Sequence, residues 1–429
     1  MNLTQKVFIG LIAGLFVGLI INLSGLYSEG SFAQVYIVDG FLNIVGKLFV
    51  NALKMLVVPL VFFSLVCGVL GIGDIRLLGR VGGKSFGLYM LTTTLAVALA
   101  LTIATLTGVG TGADESTARE FSANQAPSLL DVITGIIPSN PINAMAQGDM
   151  LAIIFFAVVF GICVLACGRE VKSVVNLIEE LNTIMMKMVE LVMHFAPYAV
   201  FCLLGKAVAE LGIDLVIKLA KYMLVLAGVL LIHGLVILPS LLKIFSGLSP
   251  FVFLNKVRAA QMFAFSTASS SATIPVTLRS VEKRMGADGS VASFTVPFGA
   301  TINMDGTAMM QGVATVFVAN LYGIDLGLTE YLMVIFMSVL ASVGTAGVPG
   351  VGLIMLTMVF GQVNLPVEGI ALIIGVDRIM DMIRTGVNVT GDAMVTCVVA
   401  KSEQKLDTAV YEDPHAGVLE EPEHEQKLA

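Results

Sequence analysis

The chain has 429 residues, of which 57% are hydrophobic and only 13% are charged, and its mean hydropathy is +0.93. These values exclude an ordinary soluble domain, in which about a quarter of the residues are charged. Most of the formal net charge of −7 comes from residues 403–429, which carry eight acidic and two basic side chains. We therefore predict a polytopic membrane protein with a disordered acidic tail, and we expect no nucleic-acid partner.

Apolar runs recur along the first half of the chain, and most approach the roughly 20 residues that a helix needs to cross a bilayer. They do not alternate as the strands of a membrane barrel do, so an all-α fold is expected. The first run follows Lys6 but has no small-residue cleavage site after it, which favours a membrane helix over a signal peptide. The pattern predicts six long helices, at about 5–25, 39–71, 84–108, 128–167, 172–206 and 218–243.

Basic residues set the orientation of these helices. With the N-terminus inside, nine Lys and Arg residues fall in cytoplasmic segments and four in the opposite loops. Because cytoplasmic loops of membrane proteins are enriched in Lys and Arg, we predict that both chain termini are cytoplasmic.

Two later segments are too short and too polar to cross. The first, "FSTASSSATIP" at 265–275, has arms at about 250–266 and 276–283 and basic residues at both ends. It is expected to be a re-entrant hairpin that enters from the cytoplasm. The second, "SVGTAGVPGVG" at 342–352, lies between loops 320–330 and 361–370, which have no Lys or Arg. It is expected to enter from the outside.

The two hairpins predict an inverted repeat. "SATIP" at 271–275 resembles "TAGVP" at 345–349, and each is followed by a helix that we expect to be interrupted by a polar break. These breaks are "NMDGT" at 303–307 and "NVTGD" at 388–392. Interrupted segments at corresponding positions of inverted halves indicate the binding site of a transporter.

The last apolar segment carries an unusual number of charges. At roughly 100° per residue, its polar groups fall in one stripe about 80° wide. Each ionisable group at membrane depth costs on the order of 2.5–3.5 kcal/mol on insertion scales, so a bound ligand is expected to compensate them. The stripe consists of Asp377, Asp381, Arg384, Asn388 and Asp392.

The charges in this region favour cations and an acidic amino acid. Asp305 and the three aspartates of the stripe carry −4, and Arg378 and Arg384 return +2, which leaves a formal charge of about −2. The aspartates beside Asn and Gly offer oxygen ligands that suit hard cations. The Arg384 guanidinium can grip a substrate carboxylate with two hydrogen bonds, and Asp381 can take an ammonium group. Arg378 lies off the stripe and is expected to contact a neighbouring element.

Four motifs occur in order that resemble the glutamate transporter homologues, also called dicarboxylate/amino acid:cation symporters. They are "SSSAT", "NMDGT", "GTAGVPG" and "DMIRTGVNVTGD", and the resemblance covers about residues 5–402. It implies eight transmembrane helices and two re-entrant helical hairpins, assembled as a homotrimer in the lipid of a bacterial inner membrane. It also implies an elevator mechanism, in which scaffold helices in 1–83 and 128–217 support a transport domain made of 84–127 and 218–402.

The resemblance also implies site residues and Na+ as the coupling ion, without an organic cofactor. Substrate contacts carry over to Arg384, Asp381, Asn388, Thr385, Thr307, Ser270, Val348 and Gly352. Cation contacts carry over to Gly299, Asn303, Asp305, Asn388 and Asp392. A second set lies at Thr301, Ser342, Val343 and Thr345, and a third combines Tyr89, Thr92 and Thr93 with Asn303 and Asp305.

The expected function is therefore sodium-coupled import of L-glutamate or L-aspartate. Some family members have arginine where this chain has Ala268, and proton-coupled animal members have an acid where it has Gln311. The alternatives are proton coupling, a C4-dicarboxylate substrate, or a different class, an ion channel. An aspartyl protease is not expected, because Asp74 of "GIGD" falls in a basic loop. His233 lies in an apolar run and is predicted to be a packed or interfacial side chain.

Overall fold

The computed structural model describes residues 3–28, 30–70, 78–111, 137–344, 347 and 349–417. Within these ranges the regular secondary structure is helical, and one isolated β-bridge joins Ala287 and Leu406. The predicted all-α class is thus confirmed.

The helices of the first half agree broadly with the apolar runs. Short π-helical segments, Ala33–Leu42 and Leu78–Gly82, lead into the second and third helices. The helices are α1 Leu3–Leu23, α2 Asn43–Leu70, α3 Gly83–Thr107, α4 Pro141–Gln147, α5 Met150–Cys167, α6 Lys172–His194 and α7 Ala196–Ile232.

The second half begins with shorter helices and ends with a long one. A π-helical turn, His233–Ile237, joins α7 to the next helix. The helices are α8 Leu238–Ser246, α9 Pro250–Thr267, α10 Ser270–Arg279, α11 Gly289–Ile302, α12 Asp305–Leu321, α13 Leu328–Gly344, α14 Val351–Gln362, α15 Ile370–Ser402 and α16 Thr408–Glu412.

Two predicted boundaries in the first half are wrong. The helix expected at 172–206 ends at His194, and α7 starts with Pro197 in its first turn, where proline needs no hydrogen-bond acceptor. Helix α7 consists of two helical segments that meet at Gly212, whose φ of 67° and ψ of −153° are not helical, so a break does fall inside the expected gap at 207–217. The helix expected at 128–167 consists of α4 and α5, and its residues 128–136 lie outside the described ranges.

Membrane-crossing character is clearest in the first half. In the described part of the chain, the helical stretches long and apolar enough to cross a bilayer are Gln5–Leu23, Ala33–Cys67, Arg80–Thr107 and Ala196–Ser246. Helix α15 has 33 residues, but its charged stripe sets it apart from them. The chain is therefore a multi-pass membrane protein, and the total of eight crossings remains an expectation.

The helices pack in two groups. Helix α1 packs along α7, and α2 packs against α5 and α6. In the other group α12 packs against α3, while α15 packs against α9 and α11. Helix α7 also contacts α15, so it connects the two groups.

The predicted hairpins form helix–turn–helix units whose turns meet. Helices α9 and α10 are joined at Ala268 and Ser269, and Ala268 adopts the left-handed conformation with φ 50°. Ser269 Oγ donates a hydrogen bond of 2.7 Å to the Gly347 carbonyl, and the Ser271 N–H donates one of 3.1 Å to the same oxygen. Because Gly347 lies between α13 and α14, these two bonds join the hairpin tips.

Only one of the two expected helix breaks exists. Asn303 and Met304 separate α11 from α12, as predicted. Helix α15, in contrast, runs through 388–392 without interruption, so the second predicted break is wrong. Gly391 instead serves close packing, because a Cβ there would lie only 2.5 Å from Asn303 Nδ2.

Residues 403–417, here called the C-terminal clasp, contradict the expectation of disorder from residue 403. The N–H of Asp288 donates to the Lys405 carbonyl at 2.9 Å, and the N–H of Asp407 donates to Gly286 at 2.8 Å. Tyr411 is only 1% exposed. Acidic composition suggested a solvated tail, but the backbone pairing and the buried ring hold this part in place. Residues 418–429 lie outside the described ranges.

Buried charge also anchors the clasp. Lys256 at the base of α9 is 2% exposed, and its Nζ donates to the carbonyls of Arg284 and Val410 at 2.5 and 2.7 Å. A hydrogen bond from Lys84 holds the pKa of Glu403 below its usual range. The clasp thus connects the start of α3, the base of the first hairpin and the end of α15.

Candidate functional site

Arg384 is the centre of the polar stripe on α15. Its side chain is fully buried, and its Nη2 lies 2.9 Å from Asp381 Oδ1 and 2.8 Å from Asp377 Oδ1. The contact with Asp381 is a hydrogen bond. The contact with Asp377 is an ion pair without hydrogen-bond geometry, since Asp377 Oδ1 has no hydrogen-bond partner. Two carboxylates therefore orient the guanidinium through one nitrogen.

The rest of the guanidinium is available to a ligand. Arg384 Nε and Nη1 are buried and have no hydrogen-bond partner, which is costly for charged donors. Nη1 lies 3.6 Å from the position of a Cβ on Gly352, and Thr307 Cγ2 lies 2.9 Å from the same position. Gly352 belongs to the first turn of α14, where the helix dipole favours anions. This place suits a carboxylate.

Asp381 has the chemistry for an ammonium group. It is 8% exposed, the most of the five stripe residues. Its Oδ2 accepts a hydrogen bond of 3.4 Å from the Gly350 N–H and lies 3.8 Å from Arg378 Nη1. The ion pair with Arg378 lies within α15, because side chains three residues apart share one helix face, and the contact of Arg378 with a neighbouring element stays a prediction.

The structure gives less support to a ligand contact for three other predicted substrate residues, Thr385, Ser270 and Val348. The Thr385 hydroxyl donates to the Asp381 carbonyl at 2.7 Å, so it is occupied within its own helix. Ser270 is buried at the start of α10, while its neighbours Ser269 and Ser271 contact Gly347. Val348 lies outside the described residues.

Asn388 connects α15 to the helix break. Its Oδ1 accepts a hydrogen bond of 2.7 Å from the Gly306 N–H, at the buried amino-terminal end of α12. Its backbone carbonyl accepts one of 3.2 Å from Asn303 Nδ2. The amide therefore holds the start of α12 against the polar stripe.

Asp392 and Asn303 form a second polar centre. Asn303 Nδ2 donates to Asp392 Oδ1 at 2.8 Å, and Asn303 Oδ1 is buried without a hydrogen-bond partner. Gly299 packs directly against Asp392 Oδ1, and its Cβ position lies 2.5 Å from the Tyr89 hydroxyl. A buried carboxylate beside an unpartnered amide oxygen fits the needs of a hard cation.

Asp305 forms the third centre, between α3 and α12. It is fully buried, and its Oδ1 accepts hydrogen bonds from Thr93 at 2.6 Å and from Thr92 at 3.3 Å. Its Oδ2 lies 3.0 Å from His233 Nε2. The structure thus places Thr92 and Thr93 of the third cation set against Asp305, whereas the Tyr89 hydroxyl donates to the Thr295 carbonyl at 3.0 Å.

The second predicted cation set is only partly visible. The hydroxyls of Thr301 and Ser342 donate to Pro297 and Val339 in their own helices, which leaves carbonyls as the ligands to be expected there. Val343 is half-buried, and Thr345 lies outside the described residues. No direct contact between Thr301 and Ser342 supports this set.

Sequence reasoning missed three features of the site. These are the Asp305 contact of His233, the guanidinium contact of Asp377, and the tip contact of Ser269. A signal existed for His233, since it is the one ionisable side chain in the apolar run 223–238. Helix spacing already placed Asp377 and Arg384 on one stripe, but it did not specify their direct contact, and the Ser269 contact joins two hairpins that are distant in sequence.

The chain is similar over nearly its whole length to a known protein family and to several characterised proteins. A model of the sodium:dicarboxylate symporter family matches residues 3–402. The chain is 33% identical over 411 residues to the proton/sodium-glutamate symport protein of Geobacillus stearothermophilus, with 94% of each chain covered. It is 34% identical over 420 residues to the proton/glutamate-aspartate symporter of Escherichia coli (strain K12), with coverage of 95% and 94%.

A relative with a different substrate is nearly as similar. The C4-dicarboxylate transport protein of Bacillus subtilis (strain 168) is 32% identical over 416 residues, with 95% of each chain covered. The match spans both the charged helix and the two hairpins. On this evidence the chain belongs to the sodium:dicarboxylate symporter family, which is a family of transporters.

Proposed function

We propose that this protein is a secondary active symporter that imports L-glutamate or L-aspartate together with sodium ions. One observation carries the proposal, namely the buried Arg384 guanidinium with two unpartnered nitrogens. One of them, Nη1, lies beside the first turn of α14, while Asp381 accepts a hydrogen bond from Nη2. An acidic amino acid supplies a carboxylate to the guanidinium of Arg384 and an ammonium group to Asp381.

The same geometry favours an amino acid over a C4-dicarboxylate. A dicarboxylate such as succinate has no group to neutralise Asp381, so that carboxylate would face a second negative charge. Relatives carry the one substrate class or the other. Asp381 is therefore the residue on which we base the choice of substrate.

Sodium as the coupling ion rests on the buried oxygen ligands. Asp305 and Asp392 lie at separate centres joined by Asn303, and the Asn303 side-chain oxygen has no hydrogen-bond partner. Oxygen ligands of this kind suit a hard monovalent cation. Related proteins are named for proton coupling, for both ions, or for the substrate alone, so protons are the second candidate.

We further propose the elevator architecture, with eight membrane helices and a homotrimeric scaffold. The grouping of α1 with α7 and of α2 with α5 and α6, apart from the group around α12 and α15, supports a scaffold and a moving domain. The kink at Gly212 falls where the two would join within α7.

The test is uptake of labelled L-glutamate and L-aspartate into proteoliposomes under an inward sodium gradient or an inward proton gradient. Sodium-driven uptake that either amino acid inhibits would support the proposal. Uptake driven only by protons would keep the substrate and remove sodium from the centres at Asp305 and Asp392. Transport of succinate in place of the amino acids would show that the role of Asp381 is wrong.

The same vesicles separate a transporter from an ion channel. A symporter has a finite number of sites, so uptake saturates as the amino acid concentration rises. A sodium flux that neither amino acid alters would contradict symport and favour a channel.

A further inference from the structure

His233 makes a buried contact with the aspartate at the helix break. Its Nε2 lies 3.0 Å from Asp305 Oδ2, and both side chains have no exposed surface. The two residues are 72 positions apart in the chain. The contact therefore fixes the segment between α7 and α8 against the first residue of α12.

The backbone around His233 is unusual in a way that suits this contact. His233 begins the π-helical turn His233–Ile237, and such wide turns within helices occur frequently at functional sites. The adjacent Gly234 packs against α15, since its Cβ position lies 3.4 Å from Val387 Cγ2. The turn is thus held from two sides.

The contact gives the two oxygens of the Asp305 carboxylate different partners. Oδ1 accepts from Thr92 and Thr93, whereas Oδ2 has His233 as its hydrogen-bonding neighbour. An ionised carboxylate can only accept, so the imidazole donates through Nε2–H. His233 Nδ1 is buried without a partner, which agrees with a neutral ring that carries its one proton on Nε2. A neutral donor fixes the carboxylate and leaves its negative charge available to a cation.

We propose that His233 is a positioning residue for the coupling cation. By holding Oδ2, it directs Oδ1 of Asp305 toward the hydroxyls of Thr92 and Thr93 on α3, where the third cation set lies. This inference rests on the proposed sodium coupling and goes beyond it, because it assigns a role to a helix outside the predicted ligand sets. Loss of such an outer partner typically lowers metal affinity about 10- to 100-fold.

The experiment measures sodium binding through thermal stabilisation of the purified protein. Wild type, His233→Gln, His233→Leu and the control His194→Leu are titrated with sodium chloride at constant ionic strength. His194 is an exposed histidine whose Nδ1 lies 3.0 Å from the Glu190 carbonyl of its own helix. A second titration measures L-aspartate affinity at saturating sodium.

We expect His233→Leu to raise the half-saturating sodium concentration about 10- to 100-fold, with aspartate affinity at saturating sodium unchanged. His233→Gln keeps an N–H donor and should recover most of the sodium affinity. The control should match wild type. A general folding defect would instead lower aspartate affinity as well, and it would not be relieved by glutamine.

Three outcomes would overturn the inference. Sodium titrations of His233→Leu that match wild type would show that the contact does not position the carboxylate. Equal loss in the glutamine and leucine variants would show that donation to Asp305 is not what the ring supplies. If wild type itself shows no sodium response, the proposed sodium coupling fails and the inference falls with it. In the first two outcomes the proposed function stands.

Discussion

At the scale of single residues, the site depends on how one guanidinium is divided between protein and ligand. Arg384 uses Nη2 for Asp377 and Asp381 and leaves Nε and Nη1 without partners. An arginine in water would have all of its donors solvated, so this arrangement is costly until a carboxylate arrives. The residue can therefore select the charge of the substrate strongly.

Arg384→Cys should lower the affinity for L-aspartate by on the order of 100-fold or more, because a buried charged hydrogen-bond donor is lost. Neutral amino acids should be affected much less. Competition by aspartate and serine in proteoliposome uptake measures this difference. Arg378→Cys is the matched control, since Arg378 is an arginine on the same helix. In contrast to Arg384 it is partly exposed, and its Nη1 lies 3.8 Å from Asp381 Oδ2. Equal losses for acidic and neutral substrates would contradict the assignment.

Asp381→Asn should reverse the preference between amino acid and dicarboxylate. Removing the negative charge weakens an ammonium contact by on the order of 2 kcal/mol or more, whereas succinate no longer meets a like charge. Uptake of labelled aspartate and labelled succinate is to be compared in one preparation. Asp377→Asn, which also removes a partner of Arg384, serves as control and should change both substrates in parallel. If Asp381→Asn changes the uptake of aspartate and of succinate in parallel, Asp381 does not select between the two substrates.

Most of the site at this scale was predictable, and the exceptions share a physical cause. The stripe from Asp377 to Asp392 follows from helix geometry alone, and its members are all buried. The role of His233 was not predictable, because its partner is 72 residues away and periodicity describes only near neighbours. The same holds for Ser269, whose acceptor is a backbone carbonyl of another hairpin.

At the scale of elements, two glycines of α15 show why a glycine in a motif does not imply a break. Gly391 allows the amide of Asn303 to approach, whereas Gly375 has no atom nearer than 3.7 Å to its Cβ position. Both lie within the same continuous helix. A run of small and polar residues can occur in a helix that breaks and in one that packs closely against another segment. Which of the two forms depends on the segment that lies beside the helix.

Gly391→Ala should lower the free energy of unfolding by about 1–3 kcal/mol, because the new methyl group overlaps Asn303. It should also weaken sodium binding through that amide. Gly375→Ala should be neutral or stabilise by up to about 1 kcal/mol from helix propensity. Thermal unfolding in detergent, with and without sodium, compares the two. Similar behaviour of both variants would show that the close approach at Gly391 is unimportant.

At the scale of the whole molecule, the C-terminal clasp holds together parts of the chain that are distant in sequence. It joins α3 through Glu403, the base of the first hairpin through Lys256, and the start of α11 through Asp288. Composition predicted disorder here because acidic residues dominate, but backbone pairing and one buried tyrosine outweigh the charges. The clasp thus ties the base of the first hairpin to α3 and to the start of α11.

A chain that ends at Ser402 should therefore be less stable than one that ends at Gly417, which keeps every described clasp contact. Truncation removes the Val410 carbonyl from Lys256 and uncovers a buried ammonium group, at a cost of about 1–3 kcal/mol. Melting temperatures of the two chains in detergent test this. Lys256→Met in the shorter chain should restore part of the loss, because no charge is then left unpaired. Identical melting of both chains would show that the clasp adds no stability.

The contact between the hairpin tips has a consequence for how this protein can evolve. One of its two bonds joins backbone to backbone, and both end on the Gly347 carbonyl, an atom that every amino acid possesses. The position of this carbonyl is determined by the path of the backbone and not by a side chain. In the proposed function, substrate recognition depends instead on side chains such as Arg384 and Asp381, each replaceable by a single codon change. Natural selection can thus alter the transported solute while the tip contact is inherited almost intact.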